Sequence, residues 1–262
     1  MLRMFINMDQ SVDRRKVIED QLARLGVKAE RVAGVNGRAL SDEQCRELTY
    51  PHDHFETKVR FTRDLTKGEI GCFLSHRECW KRLVASDERW GLIIEDDALF
   101  SERARVFFED AEWVPQGIDV VQLHVTHPNE KGLIAPPRIL LDKSKGSAQL
   151  VTQLTPIPLT TMCYMISREG AQLALLLSKR LPAPVDDFLF SPWFEFVQHM
   201  PVWNLYPAVA HAADVESEIG QRNKKSVHKA PFWIRHGLTR FLMDRRIKQH
   251  QKQGEEFLMS FK

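Results

Sequence analysis

The 262-residue chain lacks several features that would assign it to a special class of protein. No apolar run approaches 18 residues, so the sequence predicts no membrane-spanning helix. Its 13 glycines and 13 prolines are too few for a collagen-like protein, and a hydrophobic content of 43% is too high for a disordered one. The first nine residues turn polar too quickly for a signal peptide, and we expect them to form a strand. These absences favour a globular domain with a sizeable core.

Cysteine is also scarce. Cys45, Cys72, Cys79 and Cys163 contain no Cys-x-x-Cys pair. This spacing predicts neither a zinc site nor a disulfide framework. We interpret the four residues as buried thiols of a protein in a reducing cytoplasm.

The positive charge is distributed unevenly along the chain. The net charge is +2, but residues 222–252 hold ten Lys or Arg and one acid, which leaves −7 for the rest. We therefore predict a body over residues 1–220 and a basic, helical tail over 221–262. Because basic and aromatic residues interleave in the tail, it is typical of an anchor on an anionic membrane surface. The alternative is a solvated helix that packs on the body, and the acidic body argues against nucleic acid as a partner.

The body alternates predicted strands with predicted helices. Thr66 and Glu69 have the spacing of a capping box, and apolar residues follow them at helical intervals. The stretch 126–160 is rich in Pro, Gly and Lys and predicts a long loop or a small excursion. The alternation favours an α/β fold with a mostly parallel sheet. Strands are predicted at 3–7, 27–32, 91–94, 119–124 and 162–166, and helices after Ser11, at 41–48, after Thr66, at 101–110 and at 168–179 after Ser167.

Three consecutive carboxylates end the apolar strand at 91–94. On an extended chain Glu95 and Asp97 point to one side and Asp96 to the other. Burying these charges is costly unless something neutralises them. Paired carboxylate oxygens at the carboxyl end of a strand suit Mg²⁺ or Mn²⁺. The sequence therefore predicts a metal site here, with a solvated acidic turn as the alternative.

Several motifs, in this order and spacing, resemble glycosyltransferase family 25, the lipooligosaccharide-type sugar transferases. The resemblance covers about residues 3 to 220. It implies a GT-A-like, Rossmann-type mixed sheet flanked by helices, a UDP-sugar donor (UDP-galactose or UDP-glucose), Mn²⁺ or Mg²⁺, and a lipooligosaccharide or lipopolysaccharide acceptor. The motifs are Ile6-Asn7-Met8-Asp9, Asp13-Arg14-Arg15, Leu65-Thr66-Lys67-Gly68-Glu69-Ile70-Gly71-Cys72 with Leu74-Ser75-His76, and Ile93-Ile94-Glu95-Asp96-Asp97.

The resemblance also implies roles on the donor side. Glu95 and Asp97 occupy the ends of the DxD-like signature, with Asp97 as the direct metal ligand. Glu95 or Asp96 contacts the ribose or a metal-bound water. Asn7 falls where the nucleotide lies, and one of the next two arginines, Arg14 or Arg15, faces the diphosphate. His76 is either a donor-binding residue or a core histidine, because it shares a helical stripe with apolar residues.

On the acceptor side, the family's Pro-Val-Asp pattern maps onto Pro184-Val185-Asp186. We predict Asp186 as the general base of an inverting transfer and Asp187 as the helix cap. Alternatively, Asp186 only binds acceptor hydroxyls and Glu216 is the base. Trp193 is predicted on the pocket wall and Ser217 at the acceptor. The chain departs from the family pattern at Val35-Asn36-Gly37, Thr160-Thr161-Met162-Cys163-Tyr164 and Ser217-Glu218-Ile219.

Two other functions compete with a sugar transferase. A nucleotidyltransferase or phosphohydrolase also needs acidic residues at strand ends, but it should show a Gly-rich phosphate loop or further clustered acids. A non-enzymatic module that binds membrane surfaces would depend on the tail alone. The leading prediction places a peripheral enzyme on the cytoplasmic face of a bacterial inner membrane.

Overall fold

A computed structural model of the chain describes residues 1–50, 63–126, 131–155, 159–192, 194–213 and 255–258. Its helices are α1 (Val12–Arg24), α2 (Asp42–Leu48), α3 (Lys67–Ala85), α4 (Ala104–Phe108), α5 (Arg168–Leu177), α6 (Val185–Phe190) and α7 (Glu195–His199). Its strands are β1 (Leu2–Asn7), β2 (Glu30–Ala33), β3 (Trp90–Glu95), β4 (Ala98–Phe100), β5 (Val120–Gln122), β6 (His124–Val125), β7 (Lys131–Leu140), β8 (Gln149–Thr155), β9 (Cys163–Ser167), β10 (Val202–Tyr206), β11 (Ala210–Ala212) and β12 (Glu255–Leu258).

Nine strands form one mixed sheet in the order β12-β7-β8-β10-β5-β9-β3-β1-β2. Strand β1 runs parallel to both β2 and β3, and β10 runs parallel to β5. Strand β9 runs antiparallel to both of its neighbours, β3 and β5. The mixed α/β class is confirmed, whereas the expectation of a mostly parallel sheet is wrong. A smaller sheet has the order β4-β11-β6.

The stretch predicted as a loop or excursion contains two long strands. Strands β7 and β8 pair antiparallel, with a register shift between Ala135 and Arg138. Pro136 and Pro137 fall inside that shift. Because proline has no N–H to donate, an interrupted ladder accommodates it there. The prolines that suggested a loop therefore mark an irregularity within a strand.

Helices on both faces of the large sheet bury its apolar side chains. Phe5 and Leu92 pack in one cluster with residues of α1 and α4. Met4 and Ile93 pack in the other with residues of α3, α5 and α6. Successive strand residues thus face opposite layers, which explains why β3 is apolar from Trp90 to Ile94.

Two of the predicted helix caps form as expected. Thr66 Oγ1 accepts from the Glu69 N–H at 3.2 Å, and Glu69 Oε2 accepts from the Thr66 N–H at 2.9 Å. Ser167 Oγ accepts from the Gly170 N–H at 2.9 Å. Ser11 occupies the N-cap position of α1, but its hydroxyl accepts no N–H of that helix.

Only a small part of the predicted basic tail belongs to the described residues. Residues 255–258 of it form β12, which pairs antiparallel with β7. The remainder, and with it the prediction of a helix, lies outside those residues. In the described stretches no helix is both long and apolar enough to span a membrane.

Candidate active site

The site forms where β1 and β3 end side by side. Their parallel register pairs Ile6 with Glu95, so Asn7 and Asp96 are the next residues on neighbouring strands. Asn7 Nδ2 donates to Asp96 Oδ2 at 2.6 Å, and Arg14 Nη1 lies 3.4 Å from Asp96 Oδ1. The carboxyl ends of parallel strands are where ligands bind in open α/β sheets. The structure thus brings the predicted Asn7, Arg14 and Asp96 together.

Glu95 turns the opposite way, towards α3. His76 Nε2 lies 3.1 Å from Glu95 Oε1, and Thr161 Oγ1 donates to the same oxygen. Burial raises the pKa of the Glu95 carboxyl, but the hydrogen bonds from His76 and Thr161 outweigh burial and hold this pKa below its ordinary value. Glu95 is therefore ionised at neutral pH.

Asp97 is the member of the triplet that fits a cation best. Its Oδ1 is buried and has no hydrogen-bond partner among the residues that the structure describes. Burial, together with the negative charges of Glu95 and Asp96, raises the pKa of Asp97 to about 7, against the opposing charge of Arg14. A divalent cation would satisfy the orphaned oxygen and offset this repulsion. The donor set of Asp97 and Glu95 consists of the hard oxygens that Mg²⁺ and Mn²⁺ prefer.

All three carboxylates line a cleft of about 450 Å³. Its other walls come from the end of β1, the start of α1, the turn at residues 35–38, and one side of α3. They include Asn7, Gln10, Arg14, Asn36, Arg38, Gly68, Cys72, Ser75 and His76. A cleft of this size, lined by polar, charged and apolar residues, suits a phosphorylated ligand larger than a single phosphate.

Two glycines hold the turn at 35–38 against α3. A Cβ at Gly37 would lie 1.7 Å from the Lys67 carbonyl oxygen, and a Cβ at Gly71 would lie 2.5 Å from the Val35 carbonyl oxygen. Backbone therefore packs directly on backbone. This contact places Asn36 on the cleft wall, where its side chain accepts from the Arg38 N–H at 3.1 Å.

A second group of possible metal ligands lies in the same cleft. Cys72, His76 and Glu95 offer atoms within 4.8 Å of one another, and they form the one such trio among the described residues. Burial raises the pKa of the Cys72 thiol far above its ordinary range, and nearby carboxylates raise it further. His76 uses both ring nitrogens in hydrogen bonds, to Tyr164 and Glu95. A protonated thiol and an occupied imidazole are poor ligands, so this trio does not suit a soft metal.

Not every predicted residue reaches the cleft. Arg15 lies on the exposed face of α1, where its Nε donates to Glu19 at 2.8 Å. Of the two arginines, only Arg14 is among the described residues that line the cleft. Trp193 and Ser217, and the alternative base Glu216, lie outside the described residues, so their predicted roles stay predictions.

Asp186 and Asp187 follow Val185 at the start of α6, beside α3. Pro184 is the N-cap residue, and both aspartates lie in the first turn, which corrects the prediction of Asp187 as the cap. Asp186 is 7% exposed, and its Oδ1 accepts from the Asp187 N–H at 2.9 Å. After burial and Glu95, the charge of Asp186 is the next cause that raises the pKa of the Cys72 thiol. Asp186 therefore lies within electrostatic reach of the cleft.

Sequence reasoning missed the residues that orient the predicted ones. Arg31 Nε donates to Asn7 Oδ1 at 3.0 Å, and Arg31 Nη2 donates to Asp9 Oδ1 at 2.6 Å. Thr161 was noted only as a departure from the family pattern, although it donates to Glu95. The Arg31 position follows from the parallel register of β2 beside β1, a signal that sequence alone does not contain.

The profile of glycosyltransferase family 25 (LPS biosynthesis protein) matches residues 1–189. The chain belongs to this family. The resemblance read from the motifs is thereby confirmed, and the predicted enzyme class is the one for which this family is named. The match includes the donor-side motifs and both Asp186 and Asp187.

Curated relatives of the chain include proteins from animals. Procollagen galactosyltransferase 2 of Homo sapiens is 31% identical over 189 residues, which cover 70% of this chain and 29% of the human protein. A glycosyltransferase 25 family member of Aedes aegypti is 30% identical over 193 residues, with the same coverage. A probable inactive glycosyltransferase 25 family member 3 of Bos taurus is 28% identical over 192 residues. The chain spans less than a third of the length of these relatives.

One solved structure, described as a glycosyltransferase involved in the glycosylation of the major capsid of PBCV-1, matches 95% of this chain and 100% of its own. The sequence identity is 10% and the TM-score is 0.37. At that value the likeness carries no argument about the site.

Proposed function

We propose that the protein transfers a hexose, galactose or glucose, from a UDP-sugar to a carbohydrate hydroxyl, with inversion and with the help of a divalent cation. The observation that carries the proposal is the acidic cluster of Glu95, Asp96 and Asp97 in the cleft, where Asp97 Oδ1 is buried without a partner among the described residues. A cluster of this kind is costly to bury unless a ligand offsets its charge.

The chain's own residues divide the work in the cleft. Asp97, with Glu95, would hold Mn²⁺ or Mg²⁺, which when bound supplies positive charge to the diphosphate leaving group. Asn7 and Arg14 orient the Asp96 carboxylate, and Arg14 adds a fixed positive charge to the wall that the nucleotide would meet. Asp186 would accept the proton of the acceptor hydroxyl as the new C–O bond forms.

The acceptor we propose is a lipooligosaccharide or lipopolysaccharide, in line with the family's description as an LPS biosynthesis protein. The animal relatives offer an alternative, because one is named for procollagen. An acceptor panel that contains both bacterial core oligosaccharides and collagen peptides distinguishes the two. Transfer to the peptides alone would contradict the lipooligosaccharide proposal.

Asp97→Asn tests the metal proposal, because this change keeps the shape of the side chain and removes its charge. We expect the wild type to release UDP from UDP-galactose or UDP-glucose with Mn²⁺ and to lose that activity in excess EDTA. Mn²⁺ should raise the Tm of the wild type but not that of Asp97→Asn. Asp87→Asn, at an exposed position, is the control. Full turnover in EDTA would rule out metal dependence, and no UDP release from any nucleotide sugar would overturn the transferase proposal.

We also propose that the basic segment 222–252 binds anionic membrane, so that the enzyme is peripheral on the cytoplasmic face of the bacterial inner membrane. Support comes from its ten basic residues interleaved with aromatic ones.

Truncation is a poor test of this anchor because it would also remove β12 from the sheet. Instead, Lys224, Lys225 and Lys229 can be changed together to Gln. Binding to phosphatidylglycerol vesicles should weaken, while changing Lys16, Lys28 and Lys81 to Gln should have no effect. Equal binding by both triple variants would contradict the anchor.

A further inference from the structure

A chain of buried hydrogen bonds leads from the core of the protein to Glu95. Trp80 Nε1 donates to the Tyr164 hydroxyl at 3.0 Å, and this hydroxyl lies 2.9 Å from His76 Nδ1. His76 Nε2 in turn lies 3.1 Å from Glu95 Oε1. The side chains of Trp80, Tyr164 and His76 have no exposed surface. Water therefore does not compete for these bonds.

The donors and acceptors along this series of hydrogen bonds determine which ring nitrogen of His76 carries the proton. The indole of Trp80 can only donate, so the Tyr164 oxygen is its acceptor, and Glu95 Oε1, which accepts from Thr161, is the acceptor at the other end. Every hydrogen finds an acceptor when Tyr164 O–H donates to Nδ1 and Nε2–H donates to Glu95. A proton on Nδ1 instead would point at the Tyr164 oxygen and leave the Tyr164 hydrogen without that acceptor. The network thus favours the imidazole tautomer with its proton on Nε2.

We propose that Tyr164 is a positioning residue, which holds His76 in the Nε2–H form and through it fixes the Glu95 carboxylate at the donor site. His76 and Thr161 both donate to Oε1 of Glu95, so Oε2 is the oxygen that can meet a ligand in the cleft. The effect of this arrangement on donor binding rests on the proposed function, whereas the tautomer of His76 is independent of that function.

Only the His76 and Glu95 end of the network reaches the cleft. His76 lines the cleft, whereas Tyr164 and Trp80 are not among the described lining residues. Tyr164 can therefore act on the ligand only through His76. This separates it from a residue that touches substrate, and in this proposal His76 supports Glu95.

The first test measures the tautomer directly, without any assay of activity. In ¹⁵N-detected NMR of the imidazole, wild-type His76 should show a protonated Nε2 and an unprotonated Nδ1. Tyr164→Phe removes one hydroxyl and keeps the ring, so Nδ1 should lose its hydrogen bond and its ¹⁵N resonance should move, while Nε2 stays protonated towards Glu95. A protonated Nδ1 in the wild type, or an unchanged spectrum in Tyr164→Phe, would overturn the inference whether or not the protein transfers sugar.

The second test separates positioning from stability. We expect Tyr164→Phe to raise the Mn²⁺ concentration for half-maximal UDP release about tenfold, the size of effect seen when a residue that orients a metal ligand is changed. In a His76→Leu background the same substitution should not raise the Mn²⁺ concentration further.

Phe107→Leu is the control. It lies in the cluster on the other face of the sheet, lowers stability without touching the network, and should leave the half-maximal Mn²⁺ concentration unchanged. Equal effects of Phe107→Leu and Tyr164→Phe at matched Tm loss would show a merely structural role. A wild type without transferase activity would contradict the proposed function and leave the NMR result standing.

Discussion

Arg63 and Glu69 form a two-pronged ion pair at the start of α3. Arg63 Nη1 donates to Glu69 Oε2 at 2.8 Å, and Arg63 Nη2 donates to Glu69 Oε1 at 2.6 Å. Glu69 also closes the capping box with Thr66 and is 3% exposed. One buried carboxylate thus anchors the helix that carries Gly68, Cys72 and His76 to the cleft.

Glu69→Gln should destabilise the protein in a pH-dependent way. Burial raises the pKa of Glu69, but hydrogen bonds from Arg63 and Thr66 outweigh it and lower this pKa below its ordinary value of 4.5. A lowered folded-state pKa contributes stability above the unfolded pKa, and that stability is lost as pH falls through the folded pKa. We expect the variant to lose about 2 kcal/mol at pH 7. Denaturant unfolding should show this difference shrinking below about pH 4.5.

An exposed ion pair supplies the control for that experiment. Glu19→Gln removes the partner of Arg15 on the surface of α1, where such pairs contribute about 0.3–0.5 kcal/mol. A difference between wild type and Glu69→Gln that stays constant down to pH 3 would show that the Arg63 pair does not lower the pKa of Glu69.

Arg14 and Arg15 offer a matched pair for donor binding. Arg14 lines the cleft and reaches Asp96, whereas Arg15 is exposed and pairs with Glu19. Arg14→Ala should weaken UDP binding about tenfold or more, because it removes the fixed positive charge beside the acidic triplet. Arg15→Ala should bind UDP like the wild type. Calorimetric titration with UDP and Mn²⁺ measures both, and an equal loss in the two variants would contradict the assignment of Arg14.

The acidic triplet was predictable because its signal is local. Side chains alternate along a strand whatever surrounds it, so Glu95 and Asp96 had to face opposite layers, as their contacts with His76 and Asn7 show. The capping box of α3 was predictable for the same reason. In contrast, the direction of β9 depends on the path of the chain, because an apolar strand reads alike in both directions.

The partners that orient the site could not be predicted for a related reason. Arg31 and Thr161 reach Asn7 and Glu95 from segments 24 and 66 residues away in the sequence. Neither residue lies in a sequence motif that predicts which residue it contacts. Their positions depend on strand order, which only the assembled sheet defines.

Gly37→Ala should reduce UDP affinity more strongly than it reduces the stability of the fold. A Cβ at this position would lie 1.7 Å from the Lys67 carbonyl oxygen, so the turn at 35–38 must move away from α3. We expect a loss of about 1–3 kcal/mol in stability and a clear loss of UDP affinity. Gly91→Ala is the control, because the three atoms nearest to its Cβ would belong to the Leu83 side chain, the first at 3.0 Å, and this side chain can adjust. Thermal melts and UDP titration compare the two. Normal UDP binding by Gly37→Ala would show that this turn does not shape the donor site.

The last prediction concerns the proton acceptor. Asp186 is buried in the first turn of α6, and its charge reaches both Arg63 and the cleft residue Cys72. The Asp187 N–H holds one of its oxygens. A carboxylate held in this way is oriented before the acceptor arrives, which favours a base over a flexible contact. In this role Asp186 acts on the acceptor and leaves the donor untouched.

Asp186→Asn should therefore lower turnover by a factor of about 10²–10⁴ and leave donor binding intact. Glu195→Gln, on the exposed start of α7, should turn over like the wild type. If Asp186 only binds acceptor hydroxyls, its variant will show a raised KM for the acceptor and near wild-type kcat at saturation. In that case Glu216→Gln should show the loss of turnover instead. Initial rates over a matrix of donor and acceptor concentrations separate the two outcomes, because a base acts on kcat and a hydroxyl contact acts on KM.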